Sequence, residues 1–523
     1  MTAKQTKTKA DSGLTERPPV VVIVGHIDHG KTTLLDYIRK TNIAGRESGG
    51  ITQHTAAYEI EHPSTSSGQV KKITFIDTPG HEAFSSMRKR GANVADIAVL
   101  VIAADEGMKQ QTNEALDQIL ESGSTLVVAI NKIDKPEANV QRIKQQLAEK
   151  GILLEGWGGT VLSQELSAKT GKGVPEFLDL LLLATEMEEL RADPKAAASG
   201  VILEAHKDAK TGIVATLLIT NGTLRHGEYV VSETAMGKIK SMQDAQGDRL
   251  DAATFSSPVV ITGFEELPAA GNAFVAAADK KTALALKKEK PRAGSQQLAA
   301  SVTQEGKPEL GVIIKSDAYG TSEALEKLIN GLQFKNAGVR ILKSDVGDLN
   351  ESDVLLAKSS HAVIAAFKIG IPNPVAKLIQ FSGVSVLSAD VVYNLVDAIK
   401  EKMQDLLPPE VTRTDLGKLA VLATFKSDTS RMIVGGKITD GKIKKGAKID
   451  VKRKGLLLFS GKISQLQHNK KDMDEVSSGN ECGIMVSPLG NVGDKKIETG
   501  DDIVIYEEQA KPKALEPLEQ SLS

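Results

Sequence analysis

The chain has one cysteine, Cys482, and one thiol cannot close an internal disulfide. That usage suits a reducing compartment, so a cytoplasmic location is expected. Aromatic residues are also scarce, with Phe 11, Tyr 6 and Trp 1 among 523 residues, which argues against a stacking platform for single-stranded nucleic acid. No apolar run approaches the roughly 18 residues needed to cross a bilayer, so no membrane partner is expected. The first 17 residues are polar, hold four Lys/Arg and two acids, and lack the apolar stretch of a secretion signal. A net charge of −2 points neither toward nor away from nucleic acid. Hydrophobic residues make up 41% of the chain, enough for real cores, and the length calls for several of them.

Texture divides the chain. Residues 1–17 read as a disordered tail. From 18 to 192, β-branched runs at Val20–Val24, Ile73–Ile76, Ile97–Ala103 and Leu126–Ile130 alternate with helix-patterned stretches, the signature of a parallel sheet covered on both faces. Residues 200–285 are short strands punctuated by Gly and Asn. A charged, Pro-broken linker follows at 286–307, and a small α/β domain at 308–388. The stretch 389–408 reads as an amphipathic connecting helix ended by Pro408-Pro409, acting as a rigid spacer. A second β-barrel is expected over 409–508, with a loose tail at 509–523. The two barrels announce their kinship in a repeat: Ile219-Thr-Asn-Gly-Thr-Leu-Arg-His-Gly227 parallels Ile438-Thr-Asp-Gly-Lys-Ile-Lys-Lys-Gly446, and Gly237-Lys-Ile parallels Gly461-Lys-Ile. The expected fold class is therefore multidomain, α/β plus β.

Chemistry concentrates in the first domain. Gly25-His26-Ile27-Asp28-His29-Gly30-Lys31-Thr32 fits G-x-x-x-x-G-K-[ST] and sits between a strand and a helix, with Thr33 following. Glycines let backbone N–H groups curl around phosphate, the helix N-terminus adds positive potential, Lys31 reaches the β- and γ-phosphates, and the Thr32 hydroxyl ligates Mg²⁺. Asp77, in Phe75-Ile-Asp77-Thr78-Pro79-Gly80-His81, ends a second buried strand and can hold the same metal, while the Gly80 amide can sense a γ-phosphate. On its own that segment would be an ordinary strand-ending turn. Asn131-Lys132-Ile133-Asp134 follows a third strand; its carboxylate can accept from guanine N1–H and N2–H₂, a donor pair adenine lacks. Asn131 would brace the loop, the Lys132 stem would lie over the base, and Ser167-Ala168-Lys169 can offer N–H groups to guanine O6. Four such elements in fixed order specify a GTP-binding domain.

These residues, with Gly49-Gly-Ile-Thr52-Gln-His54, Asp77-Thr-Pro-Gly-His-Glu-Ala-Phe84, Met87-Arg-Lys-Arg-Gly91, Trp157-Gly-Gly159 and Glu481-Cys482-Gly483-Ile484, resemble the translational GTPases, most closely the bacterial initiation factor 2 family. The resemblance spans about residues 18–508, so a short form without that family's long N-terminal extension is expected. It implies that Thr52 closes on Mg²⁺ when GTP is bound, that Asp28 helps place a monovalent cation, and that Ile27 with Ile51 gate the attacking water. It also implies that His81 orients that water, that the large ribosomal subunit drives His81 into place, and that the small subunit and initiator tRNA are the other partners. A monomer is expected.

Ten Lys/Arg and a single acid, Asp450, lie between Lys442 and Lys471. Such a stripe is either an electrostatic footprint for phosphate or a lysine-guarded barrel edge. With the resemblance it reads as the seat of the initiator tRNA acceptor end, and Glu481, Cys482 and Gly483 match the pattern associated with formylmethionine. Cys482 has a plain alternative as a small buried hydrophobe. The chain departs from the family at Gln467-His468-Asn469, where two cations and an aromatic are usual, at Gly436, where a second cysteine is usual, and at Thr55-Ala56-Ala57 in place of Ile-Gly-Ala. An elongation-type factor delivering aminoacyl-tRNA and a non-catalytic GTP-dependent RNA-binding or ribosome-assembly module remain as alternatives.

Overall fold

The computed structural model describes residues 13–41, 52–63, 68–208, 210–289, 307–427, 431–490, 495–511 and 513–518. In the first domain the strands are β1 (Val20–Gly25), β2 (Ala56–Pro63), β3 (Val70–Asp77), β4 (Ile97–Ala103), β5 (Thr125–Asn131) and β6 (Leu162–Glu165). They form one sheet in the order β2-β3-β1-β4-β5-β6, parallel except for the β2–β3 pair. The unbroken apolar runs have their cause here, because both faces are covered. Val20, Val22 and Val24 face α2 (Ser85–Val94), α3 (Gln110–Ser122) and α4 (Val140–Glu149). Val21 and Ile23 face α1 (Lys31–Arg39) and α5 (Val174–Glu188), which brings Phe177, Leu178, Leu181 and Leu182 into the core. Each such side chain contributes about 2 kcal/mol by leaving water.

The expected tail is ordered at its end. Thr15–Glu16 pairs with Arg191–Ala192, and Arg17 grips Asp96 with two hydrogen bonds of 2.7 and 2.5 Å, closing the domain where its chain enters and leaves.

Six further strands, β7 (Ser199–Asp208), β8 (Gly212–Asn221), β9 (Tyr229–Ser232), β10 (Met236–Gln243), β11 (Pro258–Phe264) and β12 (Ala273–Ala277), form a closed barrel ordered β8-β11-β10-β9-β12-β7, and Thr223–Arg225 pairs separately with Ala252–Thr254. A helix, α6 (Lys280–Glu289), runs across the boundary placed by sequence between barrel and linker. The α/β domain follows as β13 (Glu309–Ser316), α7 (Tyr319–Asn330), β14 (Gly338–Val346), α8 (Glu351–Ser359), β15 (Val363–Phe367), α9 (Asn373–Ser382) and β16 (Val386–Ala389), with a parallel sheet ordered β14-β13-β15-β16. Helix α10 (Val392–Asp405) is shorter than expected and is no bare spacer: Val392, Leu395, Val396, Ile399 and Met403 are all buried.

Residues 404–516 form a separate compact unit. Its strands are β17 (Glu410–Ser427), β18 (Met432–Lys444), β19 (Lys448–Arg453), β20 (Leu456–His468), β21 (Glu481–Pro488) and β22 (Asp502–Lys511). They close as β17-β22-β19-β20-β21-β18, with β18 returning to β17. Numbering the strands of each barrel from one to six, both rings run 1-6-3-4-5-2, the shared topology behind the sequence repeat. The last strand continues to Lys511, and Pro517 bridges Phe334, so the expected tail is partly paired.

No helix among the described residues is long and apolar enough to cross a membrane.

Candidate GTP site

The phosphate loop leaves β1 through a short 3-10 turn at Ile27–His29 and enters α1 at Gly30, whose φ of +85° is open to glycine at little cost. A Cβ at Gly30 would also strike the Asn131 amide. Lys31 is buried, and its ammonium donates to the His26 carbonyl at 2.7 Å. Burial brings its pKa down to about 8, with Asp77 opposing that fall and Arg88 adding to it. Gly80 lies so close to the Lys31 ammonium that a methyl group there would collide with it. Ile27, Asp28, Lys31, Thr32, Thr52, Gly80 and His81 line one cleft of about 40 Å³.

On its floor the Thr32 and Thr52 hydroxyls are 3.0 Å apart. Asp77 closes the end of β3 and lies 4.0 Å from Arg39. Ile51, the other half of the expected apolar gate, is outside the described residues.

The base-reading loops are joined to the phosphate loop. Asn131 Nδ2 donates to the His29 carbonyl at 2.9 Å, and its Oδ1 accepts from the Ala168 amide at 2.9 Å. Asp134 is exposed, and its Oδ1 accepts from the Ser167 hydroxyl at 2.7 Å, a bond that holds this carboxyl below its usual range. Thr33 and Lys169 lie at the exposed edge.

Two side chains have partners that sequence reasoning did not place. His29 is fully buried and sits 3.2 Å from the Val101 carbonyl; burial lowers its pKa to about 4, so only its backbone can serve a phosphate. The Lys132 ammonium is held by Glu106 at 3.3 Å and Asp105 at 3.8 Å, which fixes the stem from its far end. Two residues escaped sequence reasoning. Arg88 is 1% exposed and donates to the carbonyls of Pro79 and His81, bracing the backbone that carries His81. Tyr393, on α10, meets the His81 ring with centroids 4.1 Å apart. Arg88 lies inside Met87-Arg-Lys-Arg-Gly91, but that motif does not reveal its partners, and Tyr393 has no local motif. Helix α2 is further tied to α7 by Arg90–Glu323 at 2.6 Å and Lys327–Ser85 at 2.8 Å.

In the last barrel, strand register decides which residues face out. Glu481 is exposed, whereas Cys482 is 5% exposed among the barrel core residues, and burial pushes its thiol up to about 11. The plain alternative for Cys482 therefore holds, and its side chain offers nothing to a surface ligand. Gly436 pairs directly with Cys482, and a Cβ there would strike the Ala420 carbonyl and Leu419. Gly483, partly exposed, pairs with Gly435. His468 Nδ1 donates to the Glu481 carbonyl at 2.7 Å and its Nε2 accepts from Asn469 at 3.1 Å, linking the departed run to the Glu481 strand.

Four of the ten cations in the basic stripe are neutralised at home. Lys442 pairs with Glu475, Lys444 with Glu507, Lys448 with Glu508, and Arg453 with Asp501 and Glu498. Lys445, Lys452, Lys454, Lys462, Lys470 and Lys471 make no ion pair among the described residues.

Four family profiles match consecutive stretches: the elongation factor Tu GTP binding domain over residues 16–187, elongation factor G domain 2 over 197–277, translation-initiation factor 2 over 285–400, and elongation factor Tu domain 4 over 417–505. Translation initiation factor IF-2 of Thermus thermophilus is 41% identical over 485 residues, covering 90% of this chain and 84% of that protein. Its namesake in Rubrobacter xylanophilus is 39% identical over 505 residues, covering 94% and 72%. The crystal structure of GDP-bound aIF5B from Aeropyrum pernix aligns with a TM-score of 0.46 at 26% identity, covering 94% of this chain and 92% of that one. The chain belongs to the translation initiation factor 2 family, translational GTPases that bind guanine nucleotide and hydrolyse GTP in the service of translation initiation.

Proposed function

We propose that this GTPase promotes binding of formylated initiator tRNA to the small ribosomal subunit and joining of the large one, and that hydrolysis on the assembled ribosome ends its task. The observation that carries this reading is the bonded link from the phosphate loop to the loops beyond it: the His29 carbonyl accepts from Asn131, Asn131 accepts from Ala168, and Ser167 donates to Asp134. It suits a nucleotide read at both ends, by phosphate and by base.

The Thr32 and Thr52 hydroxyls with the Asp77 carboxylate are hard oxygen donors, a set that fits Mg²⁺. Bound there with GTP, the ion would neutralise charge on the β- and γ-phosphates. The protein's own part lies in placement. Lys31 and the Gly80 amide spread the charge that builds on the γ-phosphate, and His81 orients the water. The water oxygen bonds to γ-phosphorus, the bond to the β-phosphate oxygen breaks, GDP leaves, and the water proton ends on phosphate. The described residues lining the cleft include no arginine, which accords with slow hydrolysis until the ribosome engages. Asp28 is assigned a monovalent-cation role, and the protein is taken to act as a cytoplasmic monomer. At the far end, Glu481 and Gly483 with the unpaired lysines are assigned to the tRNA acceptor end.

Ribosome-dependent GTP hydrolysis and light-scattering assays of subunit joining, with and without formylated initiator tRNA, test this function. Stimulation by ribosomes and a further gain with that tRNA are expected. Hydrolysis indifferent to ribosomes would overturn it.

A further inference from the structure

The first turn of α10 reaches two edges of the nucleotide cleft, Gln53 beside Thr52 and His81. Gln53, next to Thr52 and 1% exposed, donates through Nε2 to the Asp390 carbonyl at 3.1 Å and accepts from the Val392 amide at 3.3 Å. It thereby satisfies one of the N–H groups that a helix start leaves unpaired. One residue on, the Tyr393 hydroxyl bonds to His81 Nδ1 while its ring packs on the imidazole, the planes tilted by 41°. The backbone beneath His81 is fixed separately by Arg88. What remains adjustable is the imidazole, and Tyr393 is the group that holds it.

The proton inventory of that bond has a consequence. His81 is a neutral imidazole at pH 7, since burial and then the Arg88 charge lower its pKa. A phenol is the better donor and an imidazole nitrogen the better acceptor, so Tyr393 donates to Nδ1 and the ring proton resides on Nε2. In that tautomer the N–H sits on Nε2 of a ring that lines the cleft. Orienting a water for attack requires the reverse, a lone pair at Nε2 that accepts the water's O–H and leaves its oxygen free to bond to phosphorus.

We propose that Tyr393 is a positioning residue for GTP hydrolysis: its hydroxyl holds His81 in the tautomer that cannot accept from the attacking water, and withdrawal of α10 arms the catalyst. This rests on the orienting role of His81. It makes the hydrolysis rate a readout of where the helix start lies. The nucleotide state is thereby coupled to that helix in two ways, through Gln53 beside Thr52, the proposed Mg²⁺ ligand, and through Tyr393 on His81.

The test uses the full chain as wild type, Tyr393→Phe, His81→Ala and the double variant. Single-turnover GTP hydrolysis without ribosomes is measured alongside GTP affinity. Tyr393→Phe keeps the ring and removes one hydrogen bond, so hydrolysis should rise about three- to ten-fold with affinity unchanged. The gain should vanish in the double variant. In ¹⁵N-histidine spectra the His81 signal should move from the Nε2–H toward the Nδ1–H pattern on Tyr393→Phe. An unchanged or slower rate in Tyr393→Phe, or a gain that survives His81→Ala, overturns the proposal. If His81→Ala alone retains full ribosome-stimulated turnover, the role of His81 fails first, and the proposal with it.

Discussion

Asn131 donates its side-chain amide to the carbonyl of His29 at 2.9 Å, a bond between residues 102 positions apart. It fastens the loop proposed to read the base to the phosphate loop. The same side chain accepts from Ala168, and Ser167 braces Asp134, the proposed base reader.

Asp134→Asn is expected to exchange guanine for xanthine preference. An amide presents a donor where guanine also donates, whereas xanthine carries an oxygen there, and one mismatched buried contact costs about 1–3 kcal/mol. Competition between GTP and XTP for the variant measures this; retained GTP selectivity would remove Asp134 from the base-reading role.

GTP affinity should depend on pH through Lys31. Its pKa of about 8 belongs to the free protein, where burial opposes the charge. Bound phosphate favours the ammonium, so below pH 8 the lysine is already charged and affinity is flat. Above pH 8 a proton must be taken up on binding, and affinity should fall by up to about ten-fold per unit. Titrations between pH 7 and 9.5 reveal the bend, and Lys31→Met should bind weakly with that bend gone.

The α/β domain holds a buried charge cluster in which Lys315 lies 3.0 Å from Asp345 and 3.3 Å from Asp353. Lys315→Met leaves Asp353, wholly buried, with Lys343 as its remaining ion-pair partner among the described residues, and a loss of about 3 kcal/mol is expected. Burial pushes the Asp345 pKa up, but Lys315 and Lys207 outweigh it and hold it at about 2. The stability this gives is fully present above the unfolded carboxylate pKa near 3.9 and lost as pH falls toward 2. Urea unfolding at pH 7 and pH 4 should show Lys315→Met with an acid transition moved to higher pH. An unchanged midpoint would show that the cluster contributes little.

In the last barrel, paired and unpaired lysines should behave differently toward RNA. Replacing Lys452 and Lys454 with Gln should weaken initiator tRNA binding and flatten its salt dependence by about 1 to 2 in log–log slope. Replacing Lys444 and Lys448, whose ammoniums lie 2.9 and 2.5 Å from Glu507 and Glu508, should do less. Filter binding of formylated and unformylated tRNA across a salt series measures both. Equal losses from the two pairs would mean that the local acids do not shield their lysines from RNA.

The sequence by itself determined what is local. The phosphate loop, Asp77-Thr-Pro-Gly80 and Asn131-Lys-Ile-Asp134 each combine a buried strand with the turn it feeds, within a few residues, so residue type and spacing were enough. The barrel repeat was legible for the same reason, since each hairpin carries its own turn chemistry. Tertiary structure decided the direction and neighbourhood of each side chain. Alternation along β21 turned Cys482 inward beside Gly436, although the motif around it reads as a surface site. Acids on β22 and around Glu475 and Glu498 neutralised lysines that looked free in the chain. His29 went under the Val101 carbonyl, and His81 met Tyr393 across 312 residues. No spacing rule reaches across such distances, because only tertiary packing brings those partners together.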